Sequence, residues 1–207
     1  MKKLSLKLVL FLAILIASFS FTSCSNDDSA SKQSCEPIPC YNGGISNSDC
    51  GCDCPLGYEG INCSIQKKPI AIYITKIKVL QFPNKNLSNG SWDSSGNAPD
   101  ITIKLTSGIK PFDVLFESPN FFPDAVSNST SAYNFIPSAP IEINSIDNPL
   151  ILSILDYDLA DNNPSEDDYM GGIGFFIYNQ GDNFPASITI KNTEAQLMFE
   201  LYLSYQW

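Results

Sequence analysis

Residues 150–158 are the most informative about the fold, and they read Leu150-Ile151-Leu152-Ser153-Ile154-Leu155-Asp156-Tyr157-Asp158. Leu150, Leu152 and Ile154 fall on one face, and such alternation is typical of a strand with one buried side. Two aspartates, Asp156 and Asp158, follow where this strand is expected to end. The stretch therefore predicts a half-buried strand that delivers acidic side chains to one end of the fold.

The same period of two recurs between residues 70 and 207. The other apolar series are Ile70, Ile72 and Ile74; Ile101, Ile103 and Leu105; and Leu197, Phe199, Leu201 and Leu203. Turn-rich segments such as 84–90 and 161–165 separate the series, and no long stretch has a helical period. We expect about seven or eight strands here, arranged as an antiparallel β-sandwich.

Composition excludes several classes of function. The 207 residues include no histidine, and all 12 basic residues are lysine. Histidine-based catalytic triads and histidine-ligated zinc are therefore excluded. A formal net charge of -10 also argues against a nucleic-acid partner, because such binding needs a basic surface.

Residues 1–23 have the pattern of a secretory leader. Three lysines precede an unbroken apolar run at 8–17, which is shorter than the roughly 18 residues of a membrane-spanning helix. The leader ends in Thr22-Ser23, directly before Cys24. One interpretation of this segment is an ordinary secretory signal that happens to be followed by a cysteine.

Small residues before Cys24 resemble the lipobox of bacterial lipoproteins. The resemblance implies cleavage before Cys24, lipid attachment to it, and anchoring in the outer membrane. The stretch at 25–28, which ends in Asp27 and Asp28, is similar to the export signal that sends Bacteroidetes lipoproteins to the cell surface. Residues 25–34 are polar and include no large apolar side chain, so we expect residues 24–34 to form a flexible lipidated tether.

Six cysteines are crowded into residues 35–63, at positions 35, 40, 50, 52, 54 and 63. An even set behind a secretory leader predicts disulfides formed in an oxidising compartment. A segment this short needs such cross-links, because it cannot bury enough apolar surface to fold without them. Spacing alone does not choose among the pairings that six cysteines allow.

The turns at 42–44 and 57–60, placed among these cysteines, resemble those of an EGF-like domain. That resemblance implies the pairs Cys35–Cys50, Cys40–Cys52 and Cys54–Cys63. It also implies a rigid spacer or contact surface, since residues 30–34 carry none of the acids with which some members bind calcium.

Residues 70–207 resemble a C2 domain at three points. Asp93 and Asp100 flank a loop that runs into the strand at 101–105, the strand at 150–155 ends in Asp156 and Asp158, and residues 168–171 lead into the next strand. The resemblance implies a calcium site with the ligands Asp93, Asp100, Asp156, Asp158 and Asp168. Asp167 is an alternative to Asp168.

Charge repulsion supports a metal at this place. Six acids fall within residues 156–168, and without a cation they repel one another at short range. Calcium suits carboxylates on several loops, because it takes six to eight oxygen ligands in a flexible shell. The alternative is a solvated acidic loop without metal. Trp92, beside Asp93, is expected either to contact a ligand or to join the core.

The fold expected is mainly β, with a small disulfide-rich EGF-like module at 35–63 and a C2-like antiparallel β-sandwich at 70–207. The function expected is that of a surface lipoprotein with a calcium-dependent binding or adhesion role, whose ligand is a protein, a glycan or a lipid. The alternative is a metal-free structural or interaction subunit of an outer-membrane surface complex. No enzymatic activity is expected, since the acids lie side by side on loops without a histidine.

Overall fold

The structure is a computed structural model that describes residue 36 and residues 38–93, 96–158 and 167–207. The predictions for the leader at 1–23, the lipidated Cys24, the tether at 24–34 and the bond partner Cys35 lie outside these residues. Every regular element within the described ranges is a β-strand. Over the same ranges there is no helix with the length and apolar character needed to cross a bilayer.

Strands occupy two regions of the chain. Four two-residue strands lie in the cysteine-rich part: β1 (Ile45–Ser46), β2 (Cys52–Asp53), β3 (Tyr58–Glu59) and β4 (Ile65–Gln66). Nine described strands follow: β5 (Ala71–Gln81), β6 (Ile101–Ser107), β7 (Val114–Glu117), β8 (Tyr133–Phe135), β9 (Ile141–Ile143), β10 (Leu150–Asp156), β11 (Asp168–Phe175), β12 (Ser187–Asn192) and β13 (Leu197–Gln206).

The nine later strands form two antiparallel sheets that share one core. One sheet has the order β11-β10-β6-β7, and the other has the order β12-β13-β5-β8, with β9 also paired to β5. The alternating residues predicted for β6, β10 and β13 are buried in this core. The prediction of a mainly β fold with an antiparallel sandwich is confirmed.

Strand β5 keeps one side buried through a β-bulge. Ile72 and Ile74 are buried, but farther along the strand the buried residues are Ile77 and Val79. The pairing with β13 slips at this point, because Leu203 faces Ile74 whereas Tyr202 faces Lys76. The extra residue of the bulge turns the side chains of Ile77 and Val79 back toward the core. Ile70, predicted to share the buried face, lies before the strand and is 64% exposed.

The number of strands exceeds the seven or eight expected because two short ones share a partner. β9 pairs with residues 72–74 of β5, and β8 pairs with residues 77–79. Each is only three residues long, which is too short for a pattern of alternation to be recognised in the sequence.

The cysteine-rich part is cross-linked by disulfides. Cys40 is bonded to Cys52 and Cys54 to Cys63, with Cα–Cα distances of 5.8 and 5.3 Å. These are two of the pairs that the EGF-like resemblance implies. Cys50 is disulfide-bonded as well. β1 pairs with β2 and β3 with β4, so short hairpins complete the module.

The module packs directly on the sandwich, within one compact unit that spans Pro37–Trp207. The Tyr58 hydroxyl donates to Asn183 Oδ1 at 3.1 Å, and the Gly181 amide donates to Gln66 Oε1 at 2.7 Å. The Phe184 ring lies 4.4 Å from the Trp207 ring, centroid to centroid, and 5.5 Å from that of Tyr58. Aromatic packing and hydrogen bonds thus join the two parts.

Candidate metal centre

The candidate site is built on the end of β10. The alternation that buries Leu152 and Ile154 continues to Asp156, so this last strand residue also points inward and is fully buried. Asp156 pairs with Ile101, the first residue of β6, and with Asp168, the first residue of β11. The strand periodicity therefore places a buried carboxylate at one end of the sandwich.

The two oxygens of Asp156 have different surroundings. Oδ1 accepts a hydrogen bond of 2.6 Å from the backbone N–H of Asp100. Oδ2 is buried and has no hydrogen-bond partner among the described residues. A buried carboxylate oxygen without a partner destabilises the fold, because it has lost its hydrogen bonds to water and forms none within the protein.

Further carboxylates converge on this position from other loops. Oxygens of Asp93, Asp156 and Asp158 lie within 4.8 Å of one another, and so do oxygens of Asp93, Asp100 and Asp124. Asp93 belongs to both groups and therefore links them. We call these five residues the acidic site. Two oxygens bound to one calcium ion lie at most about 5 Å apart, so each group has dimensions that suit a shared ion.

Asp124 was not predicted. It lies between β7 and β8, where Phe122 forms a bridge with Ile101 and so carries the following residues to the start of β6. Its backbone N–H donates to Asp100 Oδ1 at 2.8 Å, and its φ of +47° belongs to the left-handed region. The bridge and the backbone hydrogen bond from Ala125 to the Pro99 carbonyl bring it close, and we find no pattern in the sequence that would have predicted it.

Asp168 occupies a different position from the other predicted ligands. It begins β11 directly opposite Asp156, but its side chain is exposed and it belongs to neither carboxylate group. The same holds for Asp167, which is half-buried. Asp161 and Glu166 lie outside the described residues. The structure thus brings together Asp93, Asp100, Asp156 and Asp158, adds Asp124, and leaves Asp168 apart.

The electrostatics of the acidic site oppose a fully ionised state. The pKa of Asp156 is raised to about 7, mainly by burial and in smaller part by the charges of Asp93, Asp158 and Asp100. The hydrogen bond from the Asp100 amide acts in the opposite direction, since it favours the carboxylate. A bound cation would reverse this balance by favouring the ionised form.

Trp92 has a structural role beside the acidic site. Its ring is partly buried against the hydrophobic core, and its indole Nε1–H donates to the Pro83 carbonyl at 2.8 Å. A neighbouring aromatic pair, Phe121 and Tyr157, stacks with ring centroids 4.8 Å apart. These contacts hold the segments that carry Asp93, Asp124 and Asp158.

Comparisons with known proteins give weak structural similarities. No protein-family model and no curated protein matches the chain. Human GIVD cytosolic phospholipase A2 in complex with methyl gamma-linolenyl fluorophosphonate matches with a TM-score of 0.41 and 20% identity, over 66% of this chain and 18% of that chain.

Two matched structures contain C2 domains. A pair of C2 domains, the A and B domains of Extended-Synaptotagmin 2, matches with a TM-score of 0.38 and 15% identity, over 74% of this chain and 46% of that chain. The first C2 domain, domain A, of plant Extended Synaptotagmin 1 matches with a TM-score of 0.33 and 14% identity, over 68% of this chain and 97% of that chain. At these TM-scores the matches assign neither a ligand nor an activity to this chain.

Proposed function

We propose that this chain is a calcium-dependent binding protein whose acidic site holds at least one calcium ion. The observation that carries the proposal is Oδ2 of Asp156, which is buried without a partner beside the carboxylates of Asp93 and Asp158. Calcium would replace the missing partner and neutralise the mutual repulsion of the carboxylates.

The set of available ligands favours calcium over other metals. All five residues of the acidic site offer hard carboxylate oxygens, without the thiolates and imidazoles that zinc prefers. They come from separate segments with unequal exposure, from the fully buried Asp156 to the exposed Asp124. Calcium tolerates such an irregular shell better than magnesium, which demands a near-octahedral one.

The ion would act by bracing the loops at one end of the sandwich. Its proposed ligands lie before β6, between β7 and β8, and at and just after the end of β10, so binding would fix three segments that are far apart in the chain. We expect a dissociation constant of about 10⁻⁴–10⁻³ M, as in other extracellular modules. The braced surface would serve adhesion or ligand capture.

The proposed location is the outer face of the outer membrane, with the lipid on Cys24 as the anchor. This part of the proposal rests on the leader at 1–23, the small residues before Cys24 and the acidic tether that follows. The disulfides of the cysteine-rich part fit an oxidising compartment. Palmitate labelling of cells that express the chain, lost in Cys24→Ala, would test it.

The calcium proposal is tested by titration of the purified chain without its leader. We expect heat of binding on addition of calcium chloride and a rise in unfolding temperature, both lost in Asp156→Asn. Asp113→Asn is the matched control, because it removes an exposed aspartate near the Ser107 end of β6. No effect of calcium on heat or on unfolding temperature would instead favour a metal-free structural subunit.

We further propose that the acidic site serves binding and not catalysis. Its carboxylates crowd round one position, which suits a shared ion better than separate general acid and base groups. Hydrolysis of a glycan by the wild-type chain, lost in Asp156→Asn while the fold is retained, would contradict this part of the proposal.

A further inference from the structure

A second candidate site is an open cleft of about 560 Å³ beside the acidic site. Its walls are the segment 83–92 that follows β5, the start of β11 and the turn between β12 and β13. The volume falls in the range of small-ligand sites. None of the five carboxylates of the acidic site lines this cleft.

The lining of the cleft combines aromatic rings with unused polar groups. Trp92 and Tyr169 both line it, and Tyr169 is 63% exposed. Around them lie the exposed side chains of Asn89, Glu194 and Gln196. None of these three side chains has a hydrogen-bond or ion-pair partner in the part of the chain that the structure describes. They therefore remain available to a ligand.

Charge narrows the class of ligand. The cleft is lined by one lysine, Lys85, and one acid, Glu194, so its formal charge is balanced. The whole chain carries a net charge of -10, which disfavours an anionic ligand. A purely apolar ligand would leave the amide and carboxylate groups without partners. A neutral ligand with both an apolar face and a polar rim fits this lining.

We propose that this cleft binds a short neutral oligosaccharide. The rings of Tyr169 and Trp92 would contact the apolar C–H faces of the sugar, and Asn89, Glu194 and Gln196 would bond to its hydroxyls. This proposal goes beyond the proposed calcium role, because the cleft is lined by none of the calcium ligands. Either proposal can therefore fail alone.

The test is calorimetric titration of the purified chain without its leader. The probes are gluco-, manno-, xylo- and galacto-oligosaccharides, each added once with calcium chloride and once with EDTA. We expect at least one to bind with a dissociation constant between about 10 μM and 1 mM. Tyr169→Ala and Glu194→Gln should each weaken binding by about tenfold or more, whereas Tyr169→Phe, which keeps the ring, should retain it.

Two controls separate this proposal from others. Tyr41→Ala removes a tyrosine of similar exposure, 51%, from the cysteine-rich part and should leave sugar binding unchanged. Asp156→Asn should still bind sugar in EDTA even though its calcium response is lost. The proposal is overturned if no oligosaccharide binds at up to about 10 mM in either buffer. It is also overturned if Tyr169→Ala and Glu194→Gln bind as tightly as the wild type.

Discussion

At the scale of single residues, Asp156 combines two demands that conflict. Strand alternation makes its position as buried as those of Leu152 and Ile154, yet the residue is an acid. The Asp100 amide satisfies one oxygen and leaves the other to its carboxylate neighbours. The proposed role as a calcium ligand would explain why an acid occupies a position where the pattern of the strand predicts an apolar side chain.

Asp156→Asn should have opposite effects on stability with and without calcium. In EDTA near pH 8 the variant should unfold at a higher temperature than the wild type, because it removes a buried charge surrounded by like charges. In calcium the order should reverse, because the variant loses the ion. Thermal unfolding in the two buffers measures both. A variant less stable than the wild type in both buffers would contradict the metal-ligand role.

Asp124 and Asp168 should differ in their importance for calcium. Asp124→Asn should weaken calcium binding by about tenfold, since it removes one carboxylate from a group that contains Asp93 and Asp100. Asp168→Asn should change the affinity less, because its exposed side chain belongs to neither group. Calorimetric titration of the two variants with calcium chloride measures both affinities. A larger loss in Asp168→Asn would support the original prediction of Asp168 as a ligand.

The metal-free protein should lose stability as the pH rises toward neutrality. The pKa of Asp156 is raised from 3.8 to about 7 in the folded state, mainly by burial. Between these values the folded state keeps a proton that the unfolded state has lost, so its contribution to stability is complete below the lower value and is lost as pH rises to the upper one.

Chemical unfolding in EDTA at about pH 5 and about pH 8 measures this dependence. Asp156→Asn serves as the control, because it cannot titrate and should show a smaller change across the same window. Equal pH dependence in the two proteins would assign the effect to other groups.

At the scale of elements, pairing between strands assembles both the site and the molecule. The ends of β6 and β10 lie side by side, and the bridge between Ile101 and Phe122 adds the segment with Asp124. The turn at Gly57 has a comparable role in the module, because it sits against Phe184 and Trp207 of the sandwich. Each contact joins residues that are distant in sequence.

Gly57→Ala should loosen the module from the sandwich. A Cβ at this position would lie 2.6 Å from Phe184 Cε2 and 2.8 Å from Trp207, so the aromatic rings would have to move. We expect a loss of about 1–3 kcal/mol from this overlap, in addition to the strain of a positive φ. Faster tryptic cleavage after the exposed Lys67, together with chemical unfolding, measures the effect.

Gly43→Ala is the matched control for this experiment. Its φ of +83° is close to the +89° of Gly57, but a Cβ there would have no neighbour within 4 Å. It should therefore cost only the backbone strain, about 1–2 kcal/mol. If both variants lose the same stability and are cleaved at the same rate, the packing of Gly57 does not hold the module in place.

At the scale of the whole molecule, the module and the sandwich belong to one unit. Two kinds of contact cross between them: the aromatic contacts of Phe184, and the hydrogen bonds from Tyr58 to Asn183 and from Gly181 to Gln66. The segment between the module and β5 is also attached to the sandwich, because the Ile70 amide donates to the Gln206 carbonyl at 2.8 Å. Motion of one part should therefore be coupled to the other.

Residues 37–207 should unfold in one cooperative transition under oxidising conditions. Tryptophan fluorescence reports on Trp92 in the sandwich and on Trp207 at the contact with the module, and circular dichroism reports on the strands. The two probes should give the same midpoint. Separate midpoints, or two peaks in calorimetry, would show that the parts unfold independently.

Features that depend on residues close together in the chain could be predicted from the sequence. Alternation predicted the main strands and the sandwich. The acids on the loops next to two of these strands predicted that Asp93, Asp100, Asp156 and Asp158 lie close together. Such patterns are visible because burial on one face of a strand repeats every second residue. The cysteine spacing, read through its resemblance, likewise implied the pairs Cys40–Cys52 and Cys54–Cys63.

Features that depend on contacts between distant segments could not be predicted and had to be read from the folded protein. The bulge in β5, the inclusion of Asp124, the separate position of Asp168, the docking of the module and the cleft beside Tyr169 are of this kind. Each results from the register in which strands pair and from how the turns between them pack. Register is a property of two strands together, so the pattern within either one does not contain it.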